Sequence, residues 1–273
     1  MKLHGICLMT LSFLPLSAYA TAINVDLGTA DSFAILAGSA VTNTGATIVH
    51  GSLGVSPGMA VTGFPPGSVS GGTTHAGDAV AMQAQNDLTT AYNFAAGESC
   101  GTSLTGMDLG GLTLTPGVYC FSSSAQLTGA LTLNSQGNPN AVFVFQIGST
   151  LTTASASSVV FTNGGEGDSV FWQVGSSATL GTSTAFAGNI LALTSITLNT
   201  TASIGCGRAL ARNGTVTLDT NLVSIDTEGC ETTGGGGGSV SEPSTASLLL
   251  LIGAPGLLGL RKLKLRKLKL ARR

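Results

Sequence analysis

The second half of the chain repeats a short pattern of alternating polar and apolar positions. A Thr-Leu step recurs there, followed each time by small or polar residues, at Thr150-Leu151, Thr179-Leu180, Thr197-Leu198 and Thr217-Leu218. Leu180, Leu198 and Leu218 are 18 and 20 residues apart, and second short strands are predicted between the steps at residues 169–174, 188–193 and 208–211. A period of about 20 residues predicts a solenoid, in which each coil forms two or three short strands and stacks on the next.

Alternation within each predicted strand separates the two sides of the coil. Leu151, Leu180, Leu198 and Leu218 are expected to point into the solenoid, because successive side chains of a strand face opposite ways. The outward positions are then Thr179, Gly181, Thr197, Asn199, Thr217 and Asp219. Stacked coils align such residues into rows, about 4.8 Å apart between strands and about 6.7 Å apart along a strand. The pattern therefore predicts a flat surface of hydroxyl and methyl groups.

One segment has helical rather than strand periodicity. Apolar residues recur at spacings of three and four over residues 78–96, at Val80, Ala84, Leu88, Ala91 and Ala95. Gly97 is expected just past the end as a stop signal. We predict a single helix over about 77–96 that lies along the solenoid and covers an apolar flank.

Composition and charge narrow the class of protein. Glycine is abundant with 39 residues, aromatic residues make up 5%, and Ser and Thr are frequent, which suits short strands joined by tight turns rather than an α/β enzyme. Between residues 21 and 240 only Arg208 and Arg212 oppose 12 acidic residues, a formal charge of −10. Because nucleic-acid binding needs a positive footprint, no nucleic-acid partner is expected.

Both ends of the chain carry targeting features. Residues 1–20 read as a secretory signal peptide, with Lys2, an apolar stretch over 6–16 and the cleavage site Ala18-Tyr19-Ala20. A Gly-rich linker at 232–240 precedes a short motif at 241–245, an apolar segment at 246–260 and a basic tail at 261–273. This end resembles the PEP-CTERM sorting signal, which implies cleavage by a membrane sorting protease. A weak C-terminal anchor, with its basic tail in the cytoplasm, is the alternative.

Four cysteines remain after the signal peptide: Cys100, Cys120, Cys206 and Cys230. An even count in an exported chain favours two disulfides, with three possible connectivities. We expect Cys100–Cys120 and Cys206–Cys230, because each pair closes a short segment; free buried thiols are the alternative. No CxxC spacing occurs, so no metal site is predicted.

No arrangement of residues predicts catalysis. Gly97-Glu98-Ser99-Cys100-Gly101 fits the G-x-S-x-G pattern, but a predicted helix precedes it and all three histidines come before Ser99, whereas hydrolases of that type need a later histidine. A calcium-binding repeat is similar to the segment Gly164-Gly165-Glu166-Gly167-Asp168, but the segment occurs only once, so we interpret it as a turn. We therefore expect neither an enzyme nor a cofactor.

Several stretches, in this order, resemble the microbial ice-binding protein family: VDLGTADSFAILAG (25–38), GSLGVSPG (51–58), LTPGVY (114–119), VFVFQIG (142–148), VFWQVG (170–175) and GRALA (207–211). The resemblance implies a mainly β fold: a right-handed, discontinuous β-solenoid of triangular cross-section over residues 21–231, with one long α-helix packed alongside. It also implies that the N-terminal coils stack beyond the C-terminal ones.

The resemblance further implies a protein that adsorbs to ice through one flat face and inhibits ice growth or recrystallisation. From the signal peptide we expect the protein to be secreted, and we also expect it to be a monomer. The candidate face residues are Thr152, Thr179, Gly181, Ser183, Thr197, Asn199, Thr201, Thr217, Asp219 and Asn221. A different reading is a structural or adhesive protein of the cell surface or exopolysaccharide matrix, without ice activity. In that case exopolysaccharide or the cell surface, rather than ice, is the partner.

Overall fold

The computed structural model describes residues 22–164 and 169–226, which form 22 β-strands, one α-helix and a short 3-10 helix at Gly28–Ser32. All strand pairs are parallel, so consecutive strands of the chain do not pair as hairpins but stack coil upon coil. The predicted signal peptide, the Gly-rich linker and the sorting signal lie outside the described residues.

Each complete coil contributes one strand to each of three ladders, which makes the stack three-sided. The first ladder, called here the covered face, runs through β8 (Thr102–Ser103), β10 (Gly117–Phe121), β13 (Val142–Ile147), β16 (Ser169–Val174), the later parts of β18 (Ala185–Ala192) and β20 (Ser203–Ala211), β1 (Phe33–Ala37), β4 (Ser52–Val55) and β7 (Thr74–Ala76).

The second ladder is a separate seven-stranded sheet, called here the threonine face. It runs through β11 (Ala125–Leu127), β14 (Leu151–Thr153), β17 (Ala178–Leu180), β19 (Ile196–Leu198), β21 (Val216–Asp219), β2 (Ala40–Thr44) and β5 (Ala60–Thr62).

The third ladder, called here the open face, runs through β9 (Thr113–Leu114), β12 (Ala130–Asn134), β15 (Ser158–Thr162), the early parts of β18 and β20, β22 (Leu222–Ser224), β3 (Ile48–His50) and β6 (Ser68–Ser70). β18 spans two faces because it bends at Gly188, whose φ of 97° is strained for residues with a Cβ; the register shifts there between Ala187 and Asn189.

The N-terminal strands join the stack beyond the last C-terminal coil, as the family resemblance implies. β1 pairs with β20, with Ile35 opposite Ala209, and β2 pairs with β21, with Val41 opposite Val216. β3 completes that coil against β22. The solenoid is therefore discontinuous in sequence, and a contact such as that of Thr42 with Thr217 spans 175 residues of chain. The right-handedness of the coil stays a prediction.

Inward side chains from the three ladders fill the interior. The leucines predicted to face inward, Leu151, Leu180, Leu198 and Leu218, are all buried. Aromatic rings stack along the axis: Phe145 lies 5.4 Å from Tyr119 and 4.0 Å from Trp172, centroid to centroid. The Trp172 indole N–H donates to the Ala187 carbonyl at 3.1 Å, so this buried polar group has a partner. The core is thus a continuous column.

The helix α1 (Ala79–Gly97) lies along the covered face. Its N-cap residue Asp78 accepts a hydrogen bond from the Ala81 N–H at 2.9 Å. Because many of its buried side chains are alanines, the helix can lie close to the outward apolar residues of the covered face. The buried helix residues are Ala81, Ala84, Leu88, Ala91, Tyr92 and Ala95.

Two details of the predicted helix are corrected. Val80 is 49% exposed, and Ala81 lies on the buried side instead, because the stripe that contacts the sheet begins one residue later. Gly97 is the last helical residue rather than the one after the helix. Beyond it, Cys100 and Cys120 form the first expected disulfide, with Cα atoms 5.9 Å apart. The second expected pair includes Cys230, which lies outside the described residues.

Candidate functional site

One continuous row of side chains runs along the middle of the threonine face. The strand register places one outward residue from each of the seven strands in line, and six of the seven are threonines. In stacking order the row is Gln126, Thr152, Thr179, Thr197, Thr217, Thr42 and Thr62. With strands about 4.8 Å apart, the row is about 29 Å long.

Hydroxyl groups also line one edge of this face. The residue two positions before five of the row members is Ser or Thr, namely Ser124, Thr150, Ser177, Ser195 and Thr215. Neighbours in this edge row are tied together: the Thr150 hydroxyl lies 2.8 Å from that of Ser124, and the Thr215 N–H donates to the Ser195 hydroxyl at 3.2 Å. These bonds reduce the rotational freedom of the edge hydroxyls.

Buried apolar side chains hold the row from beneath. Leu151, Ala178, Ile196, Val216 and Val41 precede row members in their strands, and all are at most 1% exposed. A β-branched threonine on a strand has few rotamers, so the methyl and hydroxyl positions of the row are defined by a rigid backbone. No register shift interrupts the pairings of this face.

Four of the residues expected on this surface, Thr152, Thr179, Thr197 and Thr217, lie together in the middle row. Asn199 is exposed, and Asp219 is half-buried opposite Thr44. Each comes two residues after a middle-row threonine in the sequence. Both therefore lie at the edge of the face opposite the row of Ser and Thr hydroxyls.

The four remaining candidates do not lie in the outward rows of the threonine face. Ser183 and Thr201 have φ angles of 58° and 60° and occupy the turns after the face, where their hydroxyls lie 2.8 Å apart. Gly181 is buried, since its backbone packs against that of Thr153 and Ala154.

Asn221 is also buried, because it stabilises a corner of the coil. It is 3% exposed, and its side-chain amide donates to the carbonyls of Asn199 at 2.9 Å and Ala202 at 2.8 Å. Its expected place on the outward surface is therefore wrong.

Asp219 is the one charged residue among the seven strands of the threonine face. The Thr200 hydroxyl donates to its carboxylate at 2.5 Å and the Thr220 hydroxyl at 3.2 Å. The pKa of Asp219 lies below its ordinary value of 3.8, chiefly because the Thr200 hydroxyl stabilises the ionised form. The charge therefore persists at neutral pH, but at the edge of the surface.

Sequence reasoning missed the last two members of the row, Thr42 and Thr62, and Thr44 at the edge beside Asp219. Their signal was the alternation in Ala40-Val41-Thr42-Asn43-Thr44 and in Ala60-Val61-Thr62. Thr42 lies beside Thr217, with hydroxyl oxygens 3.3 Å apart. Local alternation shows which side chains face outward, but only the long-range pairing of β2 with β21 shows which neighbour they join.

The remaining candidate chemistry does not assemble into a site. Within residues 22–164 and 169–226, no group of three or more His, Cys, Asp or Glu side chains could hold a metal ion. Ser99 of the G-x-S-x-G pattern follows α1, and the adjacent Cys100 is in the disulfide. Within the described residues, no helix is both long and apolar enough to span a membrane.

Comparison with known proteins points to one family. Residues 35–224 match the family model described as Ice-binding-like. An ice-binding protein of Nostoc sp. (strain HG1) is 55% identical over 265 residues, which cover 97% of each protein.

Solved structures give the same result. An ice binding protein from an Antarctic biological consortium has a TM-score of 0.72 at 46% identity, over 78% of this chain and 96% of that chain. An ice-binding protein from the Antarctic ascomycete Antarctomyces psychrotrophicus has a TM-score of 0.70 at 40% identity, over 75% and 99%.

Proposed function

The chain belongs to the Ice-binding-like family, and from this membership we propose that it binds ice through the threonine face and slows ice growth or recrystallisation. The observation that carries the proposal is the unbroken row of outward residues from Gln126 to Thr62. The threonine face is not the ladder that α1 covers, and six of its seven outward middle positions are threonines, whereas the outward positions of the open face include the exposed Ile48 and Leu222.

The physical basis is ordering of water at a regular surface. Threonine methyl groups restrict the orientations of adjacent water, while hydroxyl groups supply hydrogen bonds that anchor it. A layer ordered in this way can join the surface of a growing crystal where its positions match those of the lattice. Rigidity matters because a mobile array would pay an entropic cost at each encounter.

Charge would work against adsorption, because an ionised side chain holds its own hydration shell. The seven strands carry a single charge, that of Asp219, and it lies beside the middle row rather than within it. The mechanism needs no catalytic residue and no cofactor. It uses many weak contacts, so we expect the loss of one hydroxyl to matter less than the introduction of a bulky group.

We also propose that the protein acts outside the cytoplasm, either released or retained at the cell surface. Support comes from residues 1–20 and 241–273, whose patterns resemble an export signal and a sorting signal. Exopolysaccharide and a sorting protease are the corresponding partners. Mass spectrometry of the protein recovered from the culture medium and from the cell envelope tests this, since both termini should be shortened.

Ice binding is tested with the purified protein by ice shaping and recrystallisation inhibition. Faceted crystals and inhibition at low concentration are the expected results. Normal disc-shaped growth and unhindered recrystallisation, from protein that melts cooperatively, would contradict the proposal. Co-sedimentation with extracted polysaccharide in the same preparations would then favour the adhesive alternative.

A further inference from the structure

A groove of about 370 Å³ lies where the covered face turns into the threonine face, beside the Cys100–Cys120 disulfide and beyond the end of α1. Successive coils contribute to it in order, through Ser103, Ser122, Gly148 and Gly175. It therefore runs along the stack rather than into the core, a shape that suits an extended molecule.

One wall of the groove contains a buried polar group without a partner. Gln173 is 7% exposed, and within the described residues its side-chain amide makes no hydrogen bond. Its neighbour in the ladder is different: the Gln146 amide donates to the carbonyls of Ala95 at 2.8 Å and Glu98 at 2.7 Å. Buried amides are normally paired, so Gln173 needs a partner from outside the chain.

The rest of the lining is uncharged and carries three hydroxyl groups. Ser103, Thr105 and Ser122 form a chain of hydroxyls, in which Ser103 donates to Thr105 and Thr105 to Ser122, each at 3.3 Å. The Thr105 oxygen also accepts from the Ser122 N–H at 2.9 Å. No Asp, Glu, Lys or Arg lines the groove. A charged ligand would lose its hydration there without gaining a counter-charge.

We propose that this groove binds a neutral sugar unit of a polysaccharide. A primary amide offers two donors and an acceptor, which match the adjacent hydroxyl groups of a sugar ring. The serine and threonine hydroxyls, which can donate or accept, serve the same ligand. The volume falls within the range of small-ligand sites. The groove lies off the middle row, so this binding is independent of ice adsorption and would let the protein hold to a glycan matrix.

The test is an amide NMR titration of the purified protein with neutral disaccharides, cellobiose and maltose, and with glucuronic acid as a charged comparison. We expect saturable shifts at Ser122, Gly148 and Gly175 with at least one neutral sugar. Glucuronic acid should give none. No saturable shift with either neutral sugar, or an equal response to glucuronic acid, would overturn the proposal.

Gln173→Leu separates ligand binding from a structural role. It removes an unpaired buried amide at similar volume, so the melting temperature should stay the same or rise, whereas Gln146→Leu should lower it. Sugar affinity should fall about tenfold, the size of one lost hydrogen bond. Ice shaping should be unchanged, which keeps the outcome distinct from that of the ice-binding proposal.

Two further variants complete the design. Gln126→Leu removes an exposed glutamine of the threonine face and should leave sugar binding intact. If Gln173→Leu does not fold, Thr105→Val removes a groove hydroxyl instead and should also weaken binding. Undiminished shifts in the folded groove variant would show that the sugar binds elsewhere and refute the assignment.

Discussion

Thr197→Tyr places a bulky ring at the centre of the row on which ice binding depends. Thr197 is the fourth of seven row members, with Gln126, Thr152 and Thr179 on one side and Thr217, Thr42 and Thr62 on the other. The ring would hold ice away from its own strand and divide the row. The longest uninterrupted block would then fall from about 29 Å to about 10 Å, which is three strands.

The magnitude follows from the strands that are lost. If each strand contributes as little as the lower value for one net hydrogen bond, about 0.5 kcal/mol, the loss of four strands costs about 2 kcal/mol. This corresponds to about thirtyfold weaker adsorption. The fold should be unaffected because Thr197 points outward above the buried Ile196 and Leu198, and surface substitutions change stability by about 0.5 kcal/mol or less.

Recrystallisation inhibition over a dilution series, combined with thermal melting, measures both effects. Thr132→Tyr is the matched control, because Thr132 is also a half-buried threonine in the middle of a strand, but on the open face. We expect Thr132→Tyr to retain activity. Full activity in a folded Thr197→Tyr protein, or equal loss in both variants, would refute the assignment of the threonine face.

Three other expectations concern the edge of the face and the scaffold. Asp219→Asn should strengthen ice shaping by removing the charge, and unchanged shaping in the variant would contradict this. The wild-type protein should match the variant only below pH 3.8, because the lowered pKa keeps the Asp219 carboxylate ionised above that value. The hydrogen bonds to the carboxylate stabilise the fold above pH 3.8, and this stabilisation is lost as the pH falls through the lowered pKa. Arg208→Ala should lower the free energy of unfolding by about 2–4 kcal/mol in denaturant titrations, because the side chain is 13% exposed and donates to Asp31 at 2.7 Å and to Asn189 at 2.8 Å. Arg208→Lys should recover only part of this free energy, because lysine cannot reproduce the planar guanidinium, and full recovery would argue against the bidentate contact. Replacing both Cys100 and Cys120 by serine should cost about 3 kcal/mol, the value for a closed loop of 20 residues, without loss of ice activity; a midpoint that does not move on reduction of the wild type would contradict it.

Much of the candidate surface could be predicted from alternation alone. The buried leucines and the outward Thr152, Thr179, Thr197 and Thr217 were identified correctly, because strand alternation is a local property of the backbone. The local pairing of Cys100 with Cys120 and the presence of one helix were also predicted. Errors occurred where the strands end.

Ser183, Thr201 and Asn221 show why alternation fails at those ends. Ser183 and Thr201 adopt the left-handed conformation, which turns the chain away from the face. Asn221 instead points inward, where its amide satisfies two corner carbonyls. Extending a period-two pattern through a turn assigns such residues to the wrong side. For Val80 the error is similar, since a spacing of three or four residues fits several helix faces until the sheet selects one.

The sequence by itself determined the length of the repeat, the inward and outward positions within strands and the separate nature of the helix. These properties depend on residues that are near one another in the chain. The tertiary structure alone decided that Thr42 and Thr62 extend the row beyond Thr217 and that one ladder is covered by α1. Parallel pairing joins strands through contacts up to 175 residues apart, and no local pattern specifies which distant edge a strand will meet.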